Sequence, residues 1–259
     1  MRRQYLIQLI CGLSLFAFLL VVPNQAKSMD DDLELLQKYR STLPVAGKGL
    51  ELLAAGDREG ASRKFAGCLD VFPSHPAACY GQAVISSREG DLIQALAWIE
   101  KAEAGCLSLQ VIWEEQMAKR MNMSREEQLR FREMVTQGVD RTQNSVWCDT
   151  TSLIYNKRGR QTEDVLQGGD SDSSPFAIPA EYYVLHGNIL FKQRRFTGAE
   201  EKYLLALTVA PAHRQCLNNL VNLYFITRRF ERAREWLQKA RQRKVTINPR
   251  LEQAVKSAG

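Results

Sequence analysis

Residues 186–192 read HGNILFK, and residues 220–226, thirty-four positions later, read LVNLYFI. Asn188 falls on Asn222, Ile189 on Leu223, Leu190 on Tyr224 and Phe191 on Phe225. The period continues through Phe196 and Phe230, Ala199 and Ala233, Tyr203 and Leu237, and Ala206 and Ala240. An earlier pair keeps it too: Gly56 with Gly90, Asp57 with Asp91, Ala61 with Ala95 and Phe65 with Ile99. Self-similarity at one fixed period marks a unit that cannot bury its apolar face alone and must stack on its neighbours.

The period and the residues that keep it resemble the tetratricopeptide repeat. The closest copy is 180–211, with Tyr183, Gly187, Leu190, Phe196, Ala199, Tyr203, Ala206 and Pro211 at the expected points. Gly187 and Ala199 read as small residues where two helices cross closely. Pro211 lacks an N–H and ends the second helix. The copy at 214–247 departs at Val221 and Val245, as a last unit often does. Copies at 42–75 and 76–109 keep Gly49, Leu52, Ala61, Phe65 and Pro73, and then Ala83, Ala95, Ile99 and Ala102. The resemblance implies an all-α fold, a helical-repeat superhelix in two repeat pairs separated by a helical hairpin and an irregular insertion.

The domain plan that follows is 1–26 as a signal peptide, 42–109 as two repeats, and 110–139 as a divergent helical hairpin. Then come 140–179 as an irregular insertion, 180–247 as two further repeats and 248–259 as a C-terminal tail. Ala95 to Ala199 spans 104 residues, which is not a whole number of 34-residue periods, so the middle contains something other than a regular unit. The segments 107–123 and 124–138 therefore read as a helix pair occupying the slot of a third unit, with a capping box at Ser124 and Glu127. GGDSDSSP within the insertion is loop-like by composition.

At the start, Arg2 and Arg3 precede an apolar run from Leu6 to Val22, and Ala26 follows as a cleavage position. This reads as an export signal. An uncleaved anchor is the alternative, because the run is about the minimum that spans a bilayer. Removing Arg2 and Arg3 takes the formal charge from +6 to +4, too mild to call for nucleic acid. The basic stretch 227–244 is interleaved with Glu231 and Glu235 and reads first as a solvated face.

No catalytic signature is present: no phosphate-cradling glycine loop, no H-E-x-x-H, no G-x-S-x-G. His75, His186 and His213 sit at repeat junctions or on helices and read as packing residues. Cys68 and Cys79 fall at packing positions, and a disulfide between them across the inter-repeat turn is the alternative in an oxidising compartment. No C-x-x-C spacing suggests a metal. The sequence thus expects a non-enzymatic binder of a protein or peptide, without cofactor or metal.

Stacked repeats present their first helices along one concave side. In this frame Tyr80, Val184, Asn188, Phe191, Lys192, Asn218, Asn219, Asn222 and Phe225 turn toward it, as do Ala46, Leu50 and Leu53. Asparagines at the Asn188, Asn219 and Asn222 positions are, by the resemblance, holders of an extended peptide. An amide can both donate to and accept from a peptide backbone. The lysine clamp for a C-terminal carboxylate is not reproduced, since Ala46, Leu50 and Glu181 stand where it would need Lys or Asn.

Overall fold

The computed structural model of the chain describes residues 29–121 and 176–258. The Leu6–Val22 run, Ala26, the second half of the expected hairpin and the insertion up to residue 175 lie outside the described residues. The described residues from Lys38 onward form one compact unit, and those up to Gln37 fall outside it.

The described residues form helices α1 (Met29–Ala55), α2 (Arg58–Val71), α3 (Pro76–Glu89), α4 (Leu92–Met121), α5 (Ala180–Lys192), α6 (Phe196–Val209), α7 (Arg214–Ile226), α8 (Phe230–Gln242) and α9 (Pro249–Ser257). From α1 to α8 they pair as four helix–turn–helix units. Pro44 lies inside α1 and removes one N–H from it. In the turn before it, the Thr42 hydroxyl donates to the carbonyls of Lys38 and Tyr39 at 2.9 and 2.8 Å.

The turn inside each unit follows one backbone recipe. Gly56, Gly90, Arg194 and Arg228 take φ of 91°, 89°, 60° and 58°. The next residue's N–H then returns to the helix, as in Asp57 to Leu52 O (2.9 Å), Arg195 to Leu190 O (2.9 Å) and Arg229 to Tyr224 O (2.8 Å). This is the Schellman closure, and it favours glycine at the left-handed residue. Units one and two also cap the following helix: the carboxylates of Asp57 and Asp91 accept from Gly60 and Gln94 N–H at 2.8 and 2.9 Å. Units three and four carry arginine at both points, and neither Arg195 nor Arg229 makes a side-chain cap bond. A left-handed non-glycine residue costs about 1 kcal/mol, and a missing cap about another.

Between units, imidazoles do the capping. His75 and His213 each accept through Nδ1 from a backbone N–H, Ala78 at 3.3 Å and Cys216 at 3.2 Å. His75 is fully buried, stacked on Tyr39 with centroids 4.8 Å apart and edge-on to Phe72. Its Nε2 has no hydrogen-bond partner among the described residues. Burial pushes its pKa down to about 4.

The small residues are explained by rings rather than by helix crossing alone. A Cβ added at Gly49 or Gly81 would come within 2.5 or 2.2 Å of the Phe65 ring, and one at Gly187 within 2.6 Å of Tyr203. One aromatic from the second helix of a unit therefore lies across the glycines. Two buried clusters result. The first centres on Leu50, Phe65, Ala83 and Ile99, and the second on Tyr203, Leu217, Tyr224 and Leu237.

α5 belongs to both clusters. Ile189 and Tyr182 enter the first cluster, whereas Val184 and Leu190 enter the second. Tyr182 stacks on Tyr80 at 4.5 Å and 7°. Unit three thus packs directly on unit two. The expected break near residue 107 is absent, since α4 runs unbroken from Leu92 to Met121. No glycine or proline interrupts it after Gly105, and Leu109 and Ile112 keep one face buried. The expected tail is instead helix α9, which Asn248 caps by accepting from Arg250 N–H at 3.0 Å. Val255 of α9 is fully buried, and α9 docks on α7 and α8.

Two outcomes follow. Gly187→Ala should destabilise the chain by about 1–3 kcal/mol in denaturant unfolding, because the Tyr203 ring must shift. The unfolded chain protonates His75 near pH 6.5, whereas the fold resists until about pH 4. Its contribution is therefore complete above 6.5 and lost as pH falls to 4, on the order of 3 kcal/mol. Unfolding curves across that window should be flatter by this amount for His75→Asn, which keeps a capping oxygen.

Candidate functional site

The first helices of units three and four, α5 and α7, flank a cleft of about 310 Å³. α5 contributes Leu185, Asn188, Phe191 and Lys192, and α7 contributes Gln215, Asn219 and Asn222. The α7 amides stand at i, i+4 and i+7, one face of a helix. Ser87 of α3 and Tyr203 of α6 complete the wall.

The amides are not equivalent. Asn188 Oδ1 accepts from the Tyr203 hydroxyl at 2.8 Å and from Asn219 Nδ2 at 2.6 Å. Burial first, and then the neighbouring Cys216, raise the Tyr203 pKa, so the phenol keeps its proton and donates. Asn188 Nδ2 and Asn219 Oδ1 remain for a ligand. Gln215 and Asn222 make no side-chain hydrogen bond among the described residues, so each offers a donor and an acceptor. Phe191 supplies an apolar surface, with its ring held edge-on to Phe196 at 5.7 Å.

The other sequence-selected residues fall elsewhere. Tyr80 is buried because α5 sits directly on unit two, and Val184 because the other face of α5 packs into the second cluster. Ala46, Leu50 and Leu53 are core for the same kind of reason. Asn218 lies one face away, bonded to Arg214 O at 2.8 Å and accepting from Asn248 N–H at 2.8 Å. It lines a second cavity of about 640 Å³ with Glu181, His213 and Arg214. Phe225 packs against Phe230, with ring centroids 5.8 Å apart. Lys192 lies in the cleft wall, where its ammonium donates to Ser87 O at 3.2 Å and ties unit three to unit two. Gln215 is a cleft residue that the sequence reading does not include, although its spacing from Asn219 carries the signal.

Cys68 and Cys79 are separate thiols. Cys68 turns to Thr42 O at 3.7 Å and Cys79 to Pro73 O at 3.9 Å, as packing residues, and the alternative of a disulfide between them is not formed. Burial raises their pKa values to about 11 and about 12 and disfavours the reactive thiolate. Among the described residues no group of three His, Cys, Asp or Glu could hold a metal ion.

A buried ionic joint lies beside the cleft. Glu103 of α4 accepts from His186 Nδ1 of α5 at 2.8 Å and from Lys202 Nζ of α6 at 2.6 Å. Burial works to raise the Glu103 pKa, but the hydrogen bonds from His186 and Lys202, with their charges, outweigh it and hold it low. Both carboxylate oxygens are satisfied, as a buried charge requires.

The fold is a scaffold of stacked helical hairpins, with the cleft lying between two first helices. Residues 47–106 and 184–244 match the tetratricopeptide repeat family. The chain is a tetratricopeptide-repeat protein over these two segments, and such arrays are protein-interaction scaffolds. No curated protein matches the chain. Among solved structures it is similar to PilF of Pseudomonas aeruginosa, at 15% identity over 85% of this chain and 82% of that one, TM-score 0.35. It is also similar to a thermophilic repeat protein of Thermus thermophilus, at 20% identity over 85% and 98%, TM-score 0.35. A third similar structure is PilW, a type IV pilus biogenesis factor, at 14% identity over 84% and 87%, TM-score 0.38.

Glu103→Gln should lower stability by about 3 kcal/mol, since it removes a buried charge from two partners. Because the joint links the two repeat pairs, the denaturant transition should also broaden as they uncouple.

Proposed function

We propose that this chain is an exported adaptor that holds an extended segment of a partner protein in the cleft between α5 and α7. The observation that carries this reading is the pair of uncommitted amides, Gln215 and Asn222, facing the apolar ring of Phe191 across the cleft. An extended peptide exposes one N–H and one C=O per residue, and amides satisfy both without reading its side chains. Phe191 and Leu185 add an apolar contact that favours a bulky side chain. The volume is at the lower end of ligand pockets, about 300–1,000 Å³, which suits a short stretch of chain.

Export rests on the basic start and the apolar run from Leu6 to Val22. The same run supports a second reading, a membrane-anchored subunit of an envelope or secretion assembly. Among the described residues no helix is long and apolar enough to cross a membrane. N-terminal sequencing of the mature protein separates the two: a new start after Ala26 supports the exported form, and an intact Met1 the anchored one.

The cleft is tested by Gln215→Ala with Asn222→Ala, a pair that leaves the Asn188–Tyr203–Asn219 bonds in place. Thermal stability should stay within about 0.5 kcal/mol. Affinity for the partner captured from the native envelope should fall about tenfold, as losing hydrogen bonds to a peptide backbone does. Unchanged affinity with an intact fold removes the cleft as the binding site.

A further inference from the structure

The turn inside each unit reads Gly56-Asp57 and Gly90-Asp91 in the first repeat pair, but Arg194-Arg195 and Arg228-Arg229 in the second. The second pair thus gives up both the residue that suits the left-handed backbone and the residue that caps the next helix. Local rules broken twice at the same point of adjacent units mark a position kept for something other than folding. Arg229 has a structural use: it pairs with Glu200 at 2.5 Å and lies over the Tyr224 ring at 4.7 Å. Arg194, Arg195 and Arg228 have none. All three are exposed, and none makes an ion pair among the described residues.

These turns lie side by side. Gln193 Nε2 donates to Leu92 O at 3.1 Å, joining the turn of unit three to that of unit two. The Arg229–Glu200 pair joins the turn of unit four to the first turn of α6. Two carboxylates at these turns are already paired, Glu200 with Arg229 and Arg232, and Glu231 with Arg234. The charge of the whole region agrees. Residues 180–258 carry fifteen Lys and Arg against six Asp and Glu, a net +9, while residues 29–121 carry ten against fourteen, a net −4. The basic edge also continues the cleft, because Phe191 and Lys192 in the last turn of α5 lead straight into Arg194.

We propose that the Arg194, Arg195 and Arg228 edge is a docking surface for an acidic polypeptide segment, adjoining the part of the same partner held in the cleft. This rests on the cleft reading for its neighbour but not for its own test. Guanidinium forks pair bidentately with carboxylates, and these three arginines are exposed and unpaired among the described residues. The partner would carry Asp or Glu next to the short segment that enters the cleft.

The test uses the full chain and an oligoglutamate peptide as probe, with binding followed by fluorescence anisotropy. R194G/R228G should weaken binding about tenfold, while thermal stability holds or rises because glycine suits both left-handed positions. K244G/R250Q removes the same charge at the opposite end of α8, including a third left-handed cation, and should change affinity less than about twofold. Raising salt from about 0.05 to 0.3 M should weaken the wild type more than R194G/R228G. Equal weakening in both double variants would reduce the effect to net charge and overturn the proposal. So would loss of binding to phosphatidylglycerol vesicles with oligoglutamate binding unchanged, which would make the edge a membrane contact. The Gln215/Asn222 pair leaves these arginines untouched, so failure of the cleft leaves the oligoglutamate result standing.

Discussion

Everything in the second half of this chain depends on how α5 seats against α3 and α4. Three kinds of interaction converge on that contact. Tyr182 lies flat on Tyr80, Glu103 reaches across to His186 and Lys202, and Lys192 and Gln193 cover the carbonyls of Ser87 and Leu92. The apolar part gives adhesion and the ionic part fixes register, since a carboxylate this buried is tolerated only when both partners arrive. With α5 seated, its opposite face offers Val184 and Leu190 to the next unit, and the cleft forms between its exposed edge and α7. A change at the seat would therefore be felt at the cleft without touching any residue that lines it.

The architecture is legible because periodic glycines and aromatics leave a strong trace in sequence. Gly187 and Tyr203 can be placed on the same crossing from their spacing alone, and the structure adds that the ring covers the glycine. The arrangement of units is harder to read. The 104 residues between Ala95 and Ala199 are not a whole number of periods, and the helix-like pattern after residue 107 suggests a divergent hairpin in the gap. The two alanines in fact belong to adjacent units. Sequence spacing measures chain length, and stacking is decided by which faces are apolar. The face of α5 that carries Tyr182 and Ile189 is the trace of another unit on that side.

The cleft is half legible for a related reason. Asn188, Phe191, Asn219 and Asn222 face it because they lie on the side of their helices away from the aromatic packing. Tyr80 and Val184 share that apparent phase but lie under the neighbouring unit, and burial by a neighbour does not show in a single helix's periodicity. Asn218 is drawn toward α9 by a backbone N–H of a segment that reads as a tail in sequence. Asn188 itself serves two purposes. Its oxygen is taken by Tyr203 and Asn219, which locks the rotamers of both asparagines and leaves one polar group of each directed outward. A polar residue inside an apolar run is here a packing device whose remaining amide group borders the cleft.

The seating of α5 also bears on how the chain folds. Its contacts join residues such as Lys192 and Ser87, 105 positions apart, whereas the pairs α3–α4, α5–α6 and α7–α8 close over short turns. Local hairpins form fast, and long-range closure is slow because it must first overcome loop entropy. Two pre-formed halves would then meet in the rate-limiting step, with the Glu103–His186–Lys202 cluster completing only on arrival. The entropic cost of that closure grows only logarithmically with the connecting length, by about 0.6 kcal/mol per doubling. What sets the success of that closure is therefore the quality of the contacts at the seat, and the cleft inherits its geometry from them.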